Sequence, residues 1–474
     1  MSAMACRIPV FSITCRPART AQLHTIIMSG HFVPIFPVVL LLSLSSFVSA
    51  GDWTSWRGNT YDGRTQEQNL PVEWKATGEE TKNIVWKTDL PPWGRSTPII
   101  LGDSVFLTSH DEANGDLLVL RIEKNTGKIV WTRKAGNAKT PRQEDRKGMR
   151  EWQKFHAYHN LASPSVCGDG ESVTAVFGNG DVVAFDRDGN ELWHKNLQEE
   201  YGEFLIWWGY ANSPFLLDDM VIVAVMHDRL DGIEGREETK SYLVAFDKKT
   251  GREVWKTDRT TEAPNESSDA YTTPVLWNHE GRREMVIFGA DTLDAYDPAS
   301  GKRLWWIGNG LEGGRTVPMP VPNEKAGIVF GVRGKREPLF AAKPRGLGEQ
   351  PGSAILWDHN KNVPDVSSVV CTESLLFFVD DGGVATCIDA VQGDVKWSRR
   401  LVAGTYFPSL LLAEKDGNLY FLNNDGWCTI VKAGETFEKI AENKIDDAFL
   451  SSPVVSDGRI FLRGMRTLYC IGTE

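Results

Sequence analysis

Paired cysteines are missing from this chain. Of its seven, Cys6 and Cys15 fall in the first 50 residues, and Cys167, Cys371, Cys387, Cys428 and Cys470 stand far apart. An odd number without a close pair gives neither a disulfide framework nor a Cys-x-x-Cys metal site, and no Cys-x-x-Cys-His haem attachment is present. A basic excess is missing as well. Lys+Arg number 52 against 63 Asp+Glu, a formal charge of -11. A general nucleic-acid binder needs a basic face to neutralise phosphates, so nucleic acid is not an expected partner. Long hydrophobic runs are scarce. The one strongly apolar stretch, Phe32 to Val48, has 17 residues and contains Pro34 and Pro37, short of the roughly 20 that span a bilayer. With 24% charged and 10% aromatic residues, the chain reads as an ordinary globular protein rather than a disordered or collagenous one.

That apolar stretch ends at Val48-Ser49-Ala50, a small-x-small site before the polar Gly51-Asp52, which reads as a cleaved secretory signal. Counted from Met1 the leader carries Arg7, Arg16 and Arg19; counted from Met28, only His31 precedes the run. The expectation is a leader over 1–50 and a single domain over 51–474, exported to a periplasmic or extracellular compartment and soluble after cleavage. No cysteine follows the cleavage site to take a lipid anchor, so membrane association would come only through a partner.

Two phrases recur through the rest. Ile122-Glu-Lys-Asn-Thr-Gly-Lys-Ile-Val-Trp131, Phe246-Asp-Lys-Lys-Thr-Gly-Arg-Glu-Val-Trp255, Tyr296-Asp-Pro-Ala-Ser-Gly-Lys-Arg-Leu-Trp305 and Ile388-Asp-Ala-Val-Gln-Gly-Asp-Val-Lys-Trp397 share one pattern, and Phe185 to Trp193 is a shorter version. Each is a strand end, a turn closed by glycine, and a second strand ending in Trp. Gly127, Gly251, Gly301 and Gly393 stand where a hairpin asks for a positive φ. Upstream lies a Ser/Thr-Pro before apolar residues, as at Thr97-Pro98, Ser163-Pro164, Ser213-Pro214, Thr273-Pro274 and Ser452-Pro453. Looser versions occur at Met319-Pro320, Ser367-Ser368 and Phe407-Pro408. Proline cannot donate to a ladder, so it marks a strand start.

Eight such starts match eight aromatic strand ends: Trp86, Trp131, Trp193, Trp255, Trp305, Trp357, Trp397 and Phe437. Repeats of about 40–50 residues with four strands each are propeller blades. The strand holding Trp86 has no preceding partners, and the last repeat, from Ser452, has three strands and no Trp. Joining them completes one blade and removes open edges. The expected fold is therefore all-β: an eight-bladed β-propeller of four-stranded antiparallel blades, closed by pairing of N- and C-terminal strands. The tryptophans are expected to dock each blade on its neighbour. Cys387 and Cys470 take the slot of Ala184 and Ala245, as small apolar residues.

With these phrases assembled, the chain resembles the PQQ-like (pyrroloquinoline-quinone-type) β-propeller repeat proteins, and Trp53-Thr-Ser-Trp56-Arg57-Gly58 resembles the leader of exported members. The resemblance implies either of two roles. One is a non-enzymatic protein-interaction scaffold like the BamB-type subunit of outer-membrane protein assembly. The other is a quinoprotein dehydrogenase, in which calcium held by Glu, Asn and Asp polarises the quinone, a carboxylate acts as base, and a Trp floor with a Cys-Cys pair often sandwiches the ring. No Cys-Cys dipeptide is present, and about 53 residues per blade leave little room for such loops. No cofactor is therefore expected, with PQQ and calcium only under the alternative reading, and no catalytic or metal residues are assigned. Asp186-Arg-Asp188-Gly189-Asn190-Glu191 reads as turn chemistry, and His156 and His159 as polar histidines without a third ligand.

The stretches that break the repeat carry the functional expectation, because propeller function sits on loops around the channel mouth. One runs from Lys134 to Asn160, basic at Lys139, Arg142, Arg146, Lys147, Arg150 and Lys154, with Trp152, Phe155 and Tyr158 following. Another runs from Tyr201 through Trp207, Trp208 and Tyr210 to Asn212. A third, Val332 to Pro351, reads as a solvated strand connection. Trp93, Arg95, His159, Asn160, Trp208, Tyr210, Asn212, Tyr271, Arg315 and Asp365 all precede inner strands. They are the candidate mouth residues, suited to another protein, an extended peptide, a glycan or a small anion.

Overall fold

Alternating apolar residues in segments of three to nine, punctuated by Asp-rich turns and glycines, build strands throughout. The structure, a computed structural model, describes residues 51–91, 93–141, 155–227 and 240–473. Arg142, Arg146, Lys147, Arg150, Trp152 and Lys154 lie outside the described residues. Among those described, the strands form eight sheets, each with a four-stranded antiparallel core. We number them I (99–137), II (167–196), III (215–258), IV (275–307), V (321–359), VI (370–400), VII (411–445) and VIII (454–471). Sheet VIII takes its fourth strand from the other end of the chain. Ile84–Asp89 pairs antiparallel with Thr467–Ile471, and Trp86 lies opposite Cys470.

In sheets II, III, IV and VI the hairpin before the outer strand is tightened by an Asp carboxylate. In sheet III, the Asp247 carboxylate accepts from the backbone N–H groups of Lys249 and Thr250, and Gly251 closes the turn at φ +68°. The outer strand then brings its tryptophan opposite a small residue: Ala184 for Trp193, Ala245 for Trp255, Ala295 for Trp305, Ala341 for Trp357 and Cys387 for Trp397. In these five sheets a short side chain leaves room for the indole lying over the ladder, whereas in sheet I Trp131 lies opposite Arg121.

From that position the indole reaches the next sheet. Trp86 Nε1 donates to Lys124 O (3.0 Å), Trp131 to Arg187 O (3.0 Å), Trp193 to Lys248 O (2.9 Å) and Trp255 to Pro298 O (3.1 Å). Trp357 donates to Val391 O (3.1 Å) and Trp397 to Gly434 O (2.9 Å). The turn glycine sits beneath the ring, and a Cβ added to Gly251 would lie 2.7 Å from Trp193. Trp305 differs. Sheet V joins its third and fourth strands by residues 343–354 instead of a tight hairpin, and Trp305 donates within its own sheet to the buried Glu284 carboxylate (2.7 Å).

A second series of bonds runs at the strand starts. Thr97 N donates to Ser165 Oγ, Ser165 N to Ser213 Oγ and Ser213 N to Thr273 Oγ1. Met319 N donates to Ser368 Oγ, Ser368 N to Ser409 Oγ, Ser409 N to Ser452 Oγ, and Ser452 N returns to Thr97 Oγ1. Each of these residues stands two positions before its inner strand. The one interruption is Met319, whose side chain has no hydroxyl for the Thr273 N–H.

Residues 51–67 cross the inner strands. Trp53 exchanges backbone bonds with Ile100 of sheet I, and Thr54 O accepts from Gly168 N of sheet II. Tyr61 donates to Leu216 O of sheet III. Arg57, fully buried, donates to Ser368 O and Val369 O ahead of sheet VI, and burial pushes its pKa down to about 10 against the pull of Asp62. Gly63 O and Thr65 O accept from Leu412 and Glu414 of sheet VII, and Ser456 of sheet VIII donates to Gly51 O. One short segment thus ties six sheets together.

Three sequence expectations need correction. Phe437 does not hold the tryptophan register in sheet VII; Ala441 does, opposite Ile430, while Phe437 packs edge-on against Trp397 at 5.2 Å. The space is covered instead by Lys75–Lys82, whose first strand pairs in parallel with Lys439–Ile445, with Trp74 stacked on Tyr420. Ser163-Pro164 and Phe407-Pro408 lie two residues early, and Ser165 and Ser409 occupy the register. The stretch from Val332 to Pro351 is not a solvated connection throughout, because Leu339–Ala342 within it is the buried third strand of sheet V and Gly348–Glu349 adds to the edge of sheet IV beside Trp305 and Trp306.

Candidate functional site

The inner-strand starts surround a cavity of about 200 Å³. Thr97, Ser165, Ser213, Ser409 and Ser452 line it together with Trp56 from the N-terminal segment. Backbone contacts of that segment at Ile100, Gly168, Leu216 and Leu412 fall three residues beyond Thr97, Ser165, Ser213 and Ser409, so the segment lies behind the hydroxyls and Trp56 forms the floor. Tyr158, Phe407 and Tyr271 supply aromatic wall, and Arg95 and His159 the nitrogen-bearing side chains. Among the described residues no carboxylate or carboxamide side chain lines the cavity.

Each wall group is fixed by its loop. The Arg95 guanidinium lies 4.6 Å over the Trp93 ring and 5.6 Å from the Tyr158 ring, an arrangement that favours the cation. Tyr158, 56% exposed, stands edge-on to Phe407 at 6.1 Å. His159 Nδ1 is 3.3 Å from Trp208 O. The Tyr271 hydroxyl accepts from Trp208 N at 3.1 Å, and burial holds its pKa well above the usual phenol value. Burial, followed by the charges of Arg95 and Arg315, lowers the pKa of His156.

Beside the cavity, Trp208, Glu266, Arg315 and Lys335 border a shallow depression. Arg315 meets Asp365 through two bonds of 3.1 and 3.0 Å. Burial opposes the Arg315 charge, but the Asp365 carboxylate outweighs it and keeps the guanidinium above its usual pKa. Asp365 N donates to Asp381 Oδ1 at 3.0 Å. Burial pushes the Asp381 carboxyl up to about 6, the charge of Asp365 adds to this, and the backbone donors only partly offset it.

Of the candidate mouth residues, Arg95, His159 and Tyr271 line the cavity. Trp208 and Arg315 line the depression, Asp365 fixes Arg315, and Trp93 supports Arg95. Three are placed elsewhere. Asn160, Tyr210 and Asn212 are fully buried, with Asn160 Nδ2 bound to Trp93 O, Tyr210 to Ala224 O and Asn212 Nδ2 to Thr272 O. They brace the loops from within. Sequence reasoning missed Trp56, Tyr158 and Phe407 as wall, and it took the hydroxyl of each Ser/Thr-Pro phrase only as punctuation. The signal was available: a hydroxyl residue stands two positions before seven of the eight inner strands.

As chemistry, the site offers hydrogen-bond donors and aromatic faces. No group of three His, Cys, Asp or Glu side chains is placed to hold a metal among the described residues. Asp186 accepts from the backbone of Asp188 and Asn190 within its own turn. The five described cysteines are buried and unpaired, and burial pushes the Cys387 thiol up to about 12.

A family model described as outer membrane protein assembly factor BamB matches residues 72–204 and 143–310, together just over half of the chain. No curated protein matches the sequence. Among solved structures, BamB from Moraxella catarrhalis superposes with a TM-score of 0.52 at 12% identity, covering 82% of this chain and 99% of that one. The quinohemoprotein alcohol dehydrogenase of Comamonas testosteroni gives 0.56 at 13%, covering 89% and 80%. A europium-containing methanol dehydrogenase gives 0.57 at 12%, covering 90% and 98%. At these identities the likeness is one of fold, the β-propeller.

Proposed function

The chain belongs to the family of the outer membrane protein assembly factor BamB, and from that membership we propose that it works as an exported protein-binding scaffold rather than an enzyme. In this reading the eight sheets are the blades of one closed ring. The bonds that return from Ser452 to Thr97 and the strand that sheet VIII borrows from residues 84–89 support closure. Residues 1–50 are the leader removed on export, and the single domain begins at Gly51, where the chain is already bonded to Ser456.

One observation carries the scaffold reading: the lining of the hub. A calcium-held quinone requires carboxylate and amide oxygens around the metal and a carboxylate base. Among the described residues the cavity presents hydroxyls, aromatic rings, Arg95 and His159 instead, a donor set that does not fit that group. What the mouth offers is an anchored surface of Trp93, Arg95, Tyr158, Trp208 and Arg315, residue types that dominate protein interfaces. The family description makes a protein of outer-membrane assembly the partner to expect, which is also how the chain would come to a membrane.

A photo-crosslinking amino acid at Tyr158 tests this in intact cell envelopes. We expect a discrete protein adduct there, weakened by Arg315→Ala. The same group at Lys415, exposed in the turn after the inner strand of sheet VII, should give none. Equal labelling at both positions, or none at Tyr158, would refute the scaffold reading.

A further inference from the structure

The hydroxyls around the hub have a direction. Thr97, Ser165, Ser213, Ser409 and Ser452 each accept a backbone N–H from the neighbouring sheet. A hydroxyl has one proton to donate, and none of these five has an acceptor within hydrogen-bonding distance among the described residues. All five are more than nine-tenths buried, and all five line the same cavity. Burial of uncommitted donors is unfavourable unless something accepts from them. The cavity is blind, because the N-terminal segment lies behind it with Trp56 as its floor.

We infer that this cavity is a binding site for a carboxylate group, entering from the mouth and accepting hydrogen bonds from the hydroxyl collar. A sugar needs acceptors for its own hydroxyl protons as well as donors, and among the described residues the lining has no carboxylate or carboxamide side chain to supply them. A carboxylate is acceptor-only and can take about four hydrogen bonds. The Arg95 guanidinium at the mouth favours negative charge, and Tyr158, Phe407 and Trp56 pack the carbon skeleton. A volume of about 200 Å³ equals six or seven waters at about 30 Å³ each, room for a carboxylate and one modest side chain. Two sources share this chemistry: a small free carboxylic acid and the C-terminus of an extended peptide. The inference rests on the reading of this mouth as the binding face, and it gives that face a chemical preference.

Calorimetric titration of the mature chain separates the sources. The probes are succinate, N-acetyl-glycyl-phenylalanine, and the same dipeptide with its C-terminus amidated. The dipeptide acid or succinate should bind, and the amide should bind about tenfold or more weakly, the effect of losing charge-assisted bonds. Binding of the dipeptide acid alone assigns the peptide terminus; binding of succinate alone assigns a small acid; binding of both leaves the carboxylate itself as the recognised group. Ala211→Leu fills the cavity from its wall without removing any of the collar bonds, and should abolish binding while leaving the melting temperature unchanged. Ser213→Ala and Ser452→Ala should each weaken it severalfold. No heat with either acid, equal binding of acid and amide, or undiminished binding by Ala211→Leu would overturn the inference. If the Tyr158 adduct persists while these titrations fail, the carboxylate inference falls and the scaffold reading stands.

Discussion

Asp381 is a carboxyl whose surroundings change its charge near neutral pH. Its carboxyl is raised to about 6, chiefly by burial and then by Asp365, against about 3.9 in an unfolded chain. Below pH 4 it is protonated in both states and contributes nothing to the difference. As pH rises from 4 to 6 the unfolded chain ionises first, so the folded state loses stability across that window and stays lower above it. Asp381→Asn keeps an oxygen to accept from Asp365 N and removes the ionisation. It should melt above the parent at pH 7.5 and converge with it below pH 4, checked by thermal denaturation across pH; an unchanged or lower melting temperature at pH 7.5 would contradict the assignment. At this scale the sequence was readable where a residue serves its own turn or ladder, as with Asp186, Gly251, Cys387 and Cys470. It was opaque where loops decide. Asn160, Tyr210 and Asn212 share the position of true wall residues relative to the inner strands. No periodicity in a loop tells which side chains turn inward, and these three answer backbone carbonyls inside.

Between sheets, the repeated unit is an indole that crosses to the next hairpin. Trp193 is nearly buried, lies over Gly251 and donates to Lys248 O. Trp193→Ala removes a large buried ring and leaves that carbonyl without its partner, and should cost about 3–5 kcal/mol in chemical denaturation. Trp305→Ala should lose comparable packing but also strand the buried Glu284 carboxylate, which keeps only Arg282 as a charged partner. The prediction is a cost at least as large. A cost below about 1 kcal/mol for either would contradict the docking role. The phrase ending in Trp was legible because turn, glycine and aromatic are local in sequence. The exception in sheet VII was not. There the register residue is Ala441, and its cover, Lys75–Lys82, comes from more than 350 residues away. A long-range pairing of that kind leaves no local pattern at Phe437, where an aromatic happens to fall near the expected spacing. The proline of the strand-start phrase misled in the same manner, since the hydroxyl rather than the ring makes the contact between sheets.

Across the whole molecule, most recurring residues join sheets, and the proposed binding falls to a few loops at one mouth. The count of repeats matches the eight sheets, and the unequal ends of the chain match the pairing of Ile84–Asp89 with Thr467–Ile471. The N-terminal segment did not look like a floor, because its contacts with six sheets involve its backbone and the side chains of Arg57 and Tyr61 rather than a repeated motif. Everything proposed for the hub depends on the two ends meeting in sheet VIII, where Asp89 lies opposite Thr467. The five described native cysteines are buried and unpaired, so a new pair at the sheet edge can be followed by itself. The direct measurement is disulfide formation in the doubly substituted Asp89→Cys/Thr467→Cys mature protein under mild oxidation. The account predicts an intramolecular bond between those two positions, seen by peptide mass mapping, together with a raised melting temperature. Free thiols at 89 and 467 in a protein that is folded by circular dichroism would contradict it.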